Sequence, residues 1–97
     1  MFFAIAKFVF EESLEGRELH AFVKKVQARF PVCVRSLREG EGEAGSSFVV
    51  ATLGDKEQFV SQQLDEIAAF AEKSGFGRIS SEDVLFDHID NLSDQAE

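Results

Sequence analysis

The two histidines and the single cysteine are the side chains of this sequence best suited to acid–base, nucleophilic or metal chemistry. His88 follows Asp87 and stands two residues before Asp90, and a histidine beside carboxylates can serve as a base or a metal ligand. In an extended strand, however, Asp87 and His88 point to opposite faces of the sheet. This spacing favours an exposed histidine at a strand end over a catalytic or metal-binding one.

His20 and Cys33 lack the neighbours that would make them reactive. His20 stands at the edge of the apolar stripe of a predicted helix, with no acid or nucleophile at helical spacing. Cys33 alternates with Val32 and Val34, which predicts a buried or half-buried small hydrophobic residue. No second cysteine and no adjacent histidine is present to activate its thiol. We therefore expect a non-enzymatic protein with no catalytic residue, no metal and no cofactor.

Residues 40–47 (GEGEAGSS) form a glycine-rich segment of the kind that can cradle a phosphate. Glu39, Glu41 and Glu43 fall in or beside it and no lysine does, so its carboxylates would repel a phosphate. The same carboxylates could form a weak calcium site, but their spacing matches no known calcium-binding loop. We predict a solvated hairpin loop here.

The charge of the chain is acidic overall and unevenly distributed. A net charge of −8 disfavours electrostatic binding to nucleic acid or to an anionic membrane surface. Residues 17–38 nevertheless carry six basic residues and one acidic residue. Three of the basic ones, Lys24, Lys25 and Arg29, lie off the apolar face of the first predicted helix. A solvated helix face is favoured, and an acidic partner protein or RNA stays open as a partner of this face.

The length of 97 residues fits one domain, which we place at residues 1–90 with a polar tail at 91–97. A single cysteine forms no internal disulfide and is typical of a reducing compartment, so we expect a cytoplasmic protein. The first ten residues are apolar but are interrupted by Lys7 and have no basic region before them. They match neither a signal peptide nor a membrane span, so no membrane partner is expected.

Four strands are predicted from short runs rich in Phe, Val and Ile. They cover residues 2–10, 32–39, 48–53 and 78–89. The last of them is expected to centre on residues 84–88 and to give way to the polar tail.

Two helices are predicted from apolar residues at helical spacing. The first stripe runs over residues 19–30, and its helix must end before Pro31. The second stripe runs over residues 60–71, with Asp55 as the predicted N-cap and Gly75 suited to the left-handed position after the helix. The side chains expected beneath the sheet are Phe22, Val26, Leu64 and Ile67.

The order of these elements is β-α-β-β-α-β. Each helix supplies a crossover connection, and right-handed crossovers then lead to a four-stranded antiparallel sheet with two helices on one face. This is the ferredoxin-like arrangement of the α+β class, with the first and third strands at the centre of the sheet.

The sequence also resembles a known family along most of its length up to about residue 74. The resemblance rests on Ser13 and Leu14, on Arg17, on residues 28–34 (ARFPVCV) at the end of the first helix, and on residues 51–54 (ATLG) before the second. These segments resemble the YlxP-like family of small bacterial proteins. The resemblance implies a ferredoxin-like fold and no particular activity.

Both faces of the two central strands are apolar, whereas a sheet with one solvated face normally alternates apolar and polar residues. In the first strand one set of alternating residues is Phe2, Ala4, Ala6, Phe8 and Phe10, and the other is Phe3, Ile5, Lys7 and Val9. The face that the helices leave bare is therefore a candidate interface, whichever set it carries. The candidate interface residues are Phe2, Phe3, Ile5, Phe8, Val9, Phe10, Phe48 and Val50.

Three interpretations of this second apolar face stay open. A homodimer packed through the sheet face or an edge strand is favoured, since large exposed apolar patches mark interfaces. A small apolar ligand could occupy the face instead, as in a dimeric α+β-barrel-type ligand-binding protein or cofactor-less enzyme. In the third interpretation long side chains such as Lys7 and Arg35 cover the face within a monomer.

Overall fold

The computed structural model describes residues 1–37 and 46–95, with side chains as far as residue 92. The elements are β1 (Phe2–Phe10), α1 (Gly16–Arg29), β2 (Cys33–Ser36), β3 (Ser47–Gly54), α2 (Glu57–Lys73), β4 (Ile79–His88) and α3 (Ile89–Gln95). The strands form one sheet in the order β2-β3-β1-β4, and every neighbouring pair is antiparallel. This confirms the ferredoxin-like α+β fold, with β1 and β3 at the centre of the sheet.

The helices cover the face of the sheet that carries the even-numbered residues of β1 and β3. Ala4, Ala6, Phe8, Phe48 and Val50 are completely buried on this side. Both helices supply apolar side chains to the same layer, so the core lies between the sheet and the helix pair. The expected core residues are confirmed, since the residues buried from the helices include Phe22, Val26, Leu64 and Ile67.

Phenylalanine rings form the centre of the core. The Phe22 ring meets those of Phe10, Phe48 and Phe76 edge-on, at centroid distances of 5.4, 5.0 and 5.2 Å. The rings of Phe8 and Phe48 stack across β1 and β3 at 4.9 Å. Both geometries are favourable for aromatic pairs, and Phe needs no polar partner in a dry core. The eleven Phe residues of the sequence are therefore explained mainly by packing.

The ends of the helices follow local chemistry. Helix α1 ends at Arg29, before Pro31 as expected, and Phe30 has already returned to an extended conformation. Helix α2 begins one residue later than Asp55 predicts, with Lys56 at the N-cap position. At its other end Gly75 has a φ of +83°, which confirms the left-handed glycine.

The chain after β4 differs from the prediction. The strand ends at His88, and the short helix α3 stands where a further strand residue and a polar tail were expected. Side-chain hydrogen bonds at the end of β4 explain the change. The Asp87 carboxylate accepts hydrogen bonds from the His88 backbone N–H at 2.8 Å and from the Asn91 amide. His88 is the residue before α3, and its Nδ1 accepts a hydrogen bond from the Asp90 backbone N–H at 3.2 Å, which is the contact of an N-cap side chain.

The glycine-rich segment falls largely outside the described residues. Two predictions concern residues that are not described: the solvated loop with Glu39, Glu41 and Glu43, and the end of the second predicted strand. At its border the Ser46 hydroxyl oxygen accepts a hydrogen bond from the Leu14 N–H at 2.7 Å and donates one to the Leu14 carbonyl at 3.2 Å. These bonds fix the start of β3 beside the chain that leads into α1.

Candidate interface: the open face of the sheet

The odd-numbered residues of β1 and β3 point away from the helices, together with their register partners in β2 and β4. We call this surface the open face. Its side chains are Phe3, Ile5, Lys7 and Val9 from β1, Ser47, Val49, Ala51 and Leu53 from β3, Cys33 and Arg35 from β2, and Ser81, Asp83, Leu85 and Asp87 from β4.

Two rows of register partners cross the middle of the open face. One row is apolar and runs Cys33, Ala51, Ile5, Leu85 from β2 to β4. The other row is charged at its ends and runs Arg35, Val49, Lys7, Asp83. Positive charge therefore lies towards β2 and β1, and negative charge lies at β4.

The open face exposes large apolar side chains. Leu85 is 61% exposed, Leu53 59% and Ile5 44%, although all three belong to strands of the sheet. The long side chains of Lys7, which is half-buried, and Arg35, which is exposed, do not cover these three apolar side chains. Clusters of this kind on a protein surface are typical of binding sites.

The structure divides the predicted interface residues between the two faces. Phe8, Phe48 and Val50 are completely buried beneath the helices and Phe10 is 3% exposed, so these four belong to the core and are not available as an interface. Phe2 is half-buried and its ring stacks on Phe86 at 5.6 Å on the same side. The remaining predicted residues, Phe3, Ile5 and Val9, lie on the open face.

Sequence reasoning missed Leu53 and Leu85 as candidate interface residues, although they are the most exposed apolar residues of the sheet. The sequence did contain a signal for Leu53, because alternation with Thr52 places it on the same side as Val49 and Ala51. Leu85 lies in the fourth predicted strand, and the sequence does not give the register of that strand against the first. The pairing of Leu85 with Ile5 places it on the open face.

A groove of about 880 Å³ crosses one end of the open face. Phe3, Ile5 and Leu53 contribute to its floor, and the groove reaches Cys33 at the edge of the sheet. Its sides come from the connection between α1 and β2, at Phe30, Pro31 and Val32, and from α3, at Ile89 and Leu92. This lining is almost entirely apolar and fits a hydrophobic occupant better than a charged one.

The basic residues of α1 are exposed, as expected, but two of them contact aromatic rings at the edge of the core. The Lys25 ammonium lies 5.7 Å from the centre of the Phe76 ring, and the Arg29 guanidinium lies 5.2 Å from that of Phe70. Both distances suit a cation–π contact. These contacts give Lys25 and Arg29 a role in packing that requires no nucleic acid, while Lys24 projects from the same helix.

His88 lies on the helix side of β4 and is surrounded by structural contacts. Its ring meets Phe2 edge-on at 4.8 Å, its Nε2 lies 3.1 Å from the Met1 amino group, and its Nδ1 lies 3.2 Å from the Asp90 backbone nitrogen. Asp87 projects from the other face, as the alternation predicts. These contacts join the start of β1 to the end of β4, and the Asp90 carboxylate lies 3.4 Å from Nδ1.

His20 and Cys33 differ in how well the sequence described them. His20 is exposed on α1. Cys33 is exposed, and the expectation of a buried or half-buried residue is wrong. The reason is that β2 is an edge strand whose Val34 faces the core, so the neighbouring Cys33 must point to the open face.

Two carboxyl groups of β4 have shifted pKa values. Partial burial, and to a smaller extent the nearby Asp65 carboxylate, raise the pKa of Glu82. Hydrogen bonds from the Asn91 side chain and from the His88 backbone lower the pKa of Asp87. The first shift reflects an unfavourable position for a charge, and the second reflects the contacts that begin α3.

Metal ligands do not gather anywhere in residues 1–37 and 46–95, where no group of three or more His, Cys, Asp or Glu side chains has suitable geometry. Among the same residues, no helix combines the length and the apolar character needed to cross a bilayer.

The fold is similar to that of a solved structure, a dimeric ferredoxin-like protein of unknown function from Thermobifida fusca YX. The TM-score is 0.54, the sequence identity is 14%, and the similarity covers 91% of this chain and 90% of that one. No protein-family model and no curated protein matches the sequence. At this identity the similarity supports the fold alone.

Proposed function

We propose that this chain is a non-enzymatic domain that forms a homodimer through the open face of its sheet. The observation that carries the proposal is the exposure of Ile5, Leu53 and Leu85 on the sheet face opposite α1 and α2. Taking such a side chain from full exposure to full burial is worth about 1.5–3 kcal/mol. Each of the three still exposes 44–61% of its surface, so a second copy that covers the face gains a substantial part of that energy. The dimeric state of the protein from Thermobifida fusca, which shares this fold, is consistent with it.

The first test is the mass of the unmodified protein in solution. Light scattering at micromolar concentration should give twice the chain mass of 10.8 kDa, and dilution should return the mass of one chain. A mass of one chain at every concentration would contradict the proposal.

The second test locates the interface with two neighbouring residues of β4. Leu85 is 61% exposed on the open face, and Val84 is 46% exposed on the opposite face. Leu85→Lys should abolish the dimer because it places a charge in the apolar row, whereas Val84→Lys, its matched control, should leave the dimer intact. Loss of the dimer in both variants would indicate pairing through the β4 edge, and loss in neither would contradict an interface on the open face.

The cellular location and the wider relationship of the chain are also proposals. The single cysteine supports a cytoplasmic protein, because it forms no disulfide within the chain. The motifs at residues 28–34 and 51–54 support a relationship to the YlxP-like family, for which a ferredoxin-like fold is implied. An alignment of YlxP-like sequences tests that relationship: both motifs should recur at equivalent positions, and their absence from the family would contradict it.

A second candidate function is binding of a small apolar ligand, which the groove of about 880 Å³ favours. Its volume lies within the roughly 300–1,000 Å³ typical of ligand sites. An apolar fluorescent probe should bind the unmodified protein and lose affinity in Leu92→Glu, which changes the α3 side of the groove. Equal binding by both proteins would argue against a ligand in this groove.

A further inference from the structure

The pattern of side chains on the open face restricts how two copies can face each other. When two sheets pack with their strands aligned, the two-fold axis between them runs close to the strand direction or close to the direction across the strands. An axis along the strands reverses the strand order, so β2 of one copy lies over β4 of the other and β3 lies over β1. An axis across the strands keeps the order, so β2 lies over β2 and β4 lies over β4.

The charged row distinguishes these two arrangements. Arg35 lies at the β2 end of the row and Asp83 at the β4 end, and both are exposed. With the axis along the strands, each Arg35 faces Asp83 of the second copy. With the axis across the strands and centred on this row, Arg35 approaches Arg35 and Asp83 approaches Asp83. Like charges placed opposite each other at an interface are strongly unfavourable, so charge favours the axis along the strands.

The apolar row favours the same arrangement through side-chain size. It has small side chains, Cys33 and Ala51, on β2 and β3, and large ones, Ile5 and Leu85, on β1 and β4. With the axis along the strands, Leu85 of each copy lies over Cys33 of the other, and Ile5 lies over Ala51. Large side chains then meet small ones, which allows the close packing that stable interfaces show.

We propose that two copies pack face to face about a two-fold axis parallel to the strands, with Arg35 of each copy paired with Asp83 of the second copy. This proposal rests on the proposed function and specifies its geometry. Lys7 of each copy then lies over Val49 of the other, so the apolar and charged rows of the two copies coincide along their length.

Reversal of the two charges tests the arrangement. Arg35→Glu sets a carboxylate against Asp83 of the second copy, and Asp83→Arg sets two guanidinium groups together. Each variant should weaken the dimer about tenfold or more, because like charges then meet at two symmetric points. The double variant restores opposite charges and should return the dissociation constant close to that of the unmodified protein. Ser81→Arg, on the same strand and the same face but in a row without charged partners, should change it little.

The experiment separates this effect from that of net charge. Arg35→Glu changes the net charge from −8 to −10 and Asp83→Arg changes it from −8 to −6. General repulsion between acidic chains would therefore make the first variant associate more weakly and the second more tightly. Weakening in both, with recovery in the double variant, supports the strand-parallel axis. Opposite effects, or no effect of either variant, overturn it.

A milder pair of variants keeps the test decisive if Asp83→Arg disturbs the pairing of β1 and β4, which circular dichroism would reveal. Arg35→Gln and Asp83→Asn remove one charge each, and the cost of both together should be clearly smaller than the sum of the single costs. Additive costs overturn the arrangement. A chain that is monomeric before any substitution contradicts the proposed function itself, whereas a dimer insensitive to these variants contradicts only the position of the axis.

Discussion

At the scale of single residues, burial separates two sets of apolar side chains that look alike in the sequence. Both alternating sets of β1 are rich in Phe, Ile and Val, so composition alone did not show which set faces the helices. Lys7 could have identified the set that faces away from the helices, because an ammonium group in the middle of one set needs access to water. Ala4 and Ala6 belong to the other set, and their small side chains let the helices pack closely over it.

Leu64 tests the placement of the core. It is 4% exposed beneath the sheet, so Leu64→Ala should lower the free energy of unfolding by about 2–5 kcal/mol. Glu66→Ala is the matched control on the exposed side of the same helix and should change it by about 0.5 kcal/mol or less. Chemical denaturation measures both, and a loss below about 1 kcal/mol in Leu64→Ala would contradict the packing described.

Glu82 should make stability depend on pH. Because its pKa is raised in the folded chain, the folded state favours the protonated form, and this contribution is lost as pH rises through the folded pKa. Glu82→Gln should therefore unfold at a higher temperature than the unmodified protein at pH 7, with the difference disappearing in acid below the usual pKa of Glu.

Asp65 provides the comparison for this prediction. Asp65→Asn removes the smaller of the two causes and should give only part of the gain, since partial burial of Glu82 remains. Thermal unfolding of the three proteins across pH measures the effect. A Glu82→Gln variant that is less stable than the unmodified protein at pH 7 would show that the carboxylate makes a favourable contact.

At the scale of elements, the sequence predicted most of what local periodicity controls. The stripe over residues 19–30, and the two residues Pro31 and Gly75, located helices and helix ends, because spacing and backbone restrictions act over a few residues. Helix α3 was missed because its sequence, IDNLSDQ, is polar and short. Its start is fixed by side-chain hydrogen bonds to Asp87 and His88, which periodicity does not reveal.

Gly75 allows a direct test of one helix end. The Gly75 N–H donates to the Glu72 carbonyl at 3.2 Å and the Phe76 N–H donates to the Ala71 carbonyl at 3.1 Å, which is the Schellman pattern. No atom of the described residues lies within 4 Å of a Cβ placed at position 75, so the cost of Gly75→Ala comes from its φ of +83°. We expect a loss of about 1–2 kcal/mol in denaturation.

Gly16 is the matched control for Gly75. An added Cβ there would also have no neighbour within 4 Å in the part of the chain that the structure describes, but Gly16 begins α1 without a positive φ. Gly16→Ala should keep or raise stability, because alanine is the better helix former. Equal losses at both glycines would show that the left-handed conformation of Gly75 carries no special cost.

At the scale of the whole molecule, the order β-α-β-β-α-β was enough to predict the sheet and its helical layer. It was not enough to locate the candidate interface. The exposed face depends on strand register, and Leu85 entered it only through its pairing with Ile5 across β1 and β4. The register of two strands from opposite ends of the chain is a long-range property that alternation within one strand does not determine.

The exposed thiol of Cys33 offers the most direct measurement of the central claim, that the open face pairs with a second copy. Cys33 is the one cysteine of the chain, and it lies in the apolar row of the open face. Its rate of alkylation can therefore be followed in the unmodified protein over a range of protein concentrations. We predict that this rate falls steeply over the range in which light scattering shows the mass rising from one chain to two. A rate that stays constant while the mass doubles would place the interface elsewhere and contradict the account.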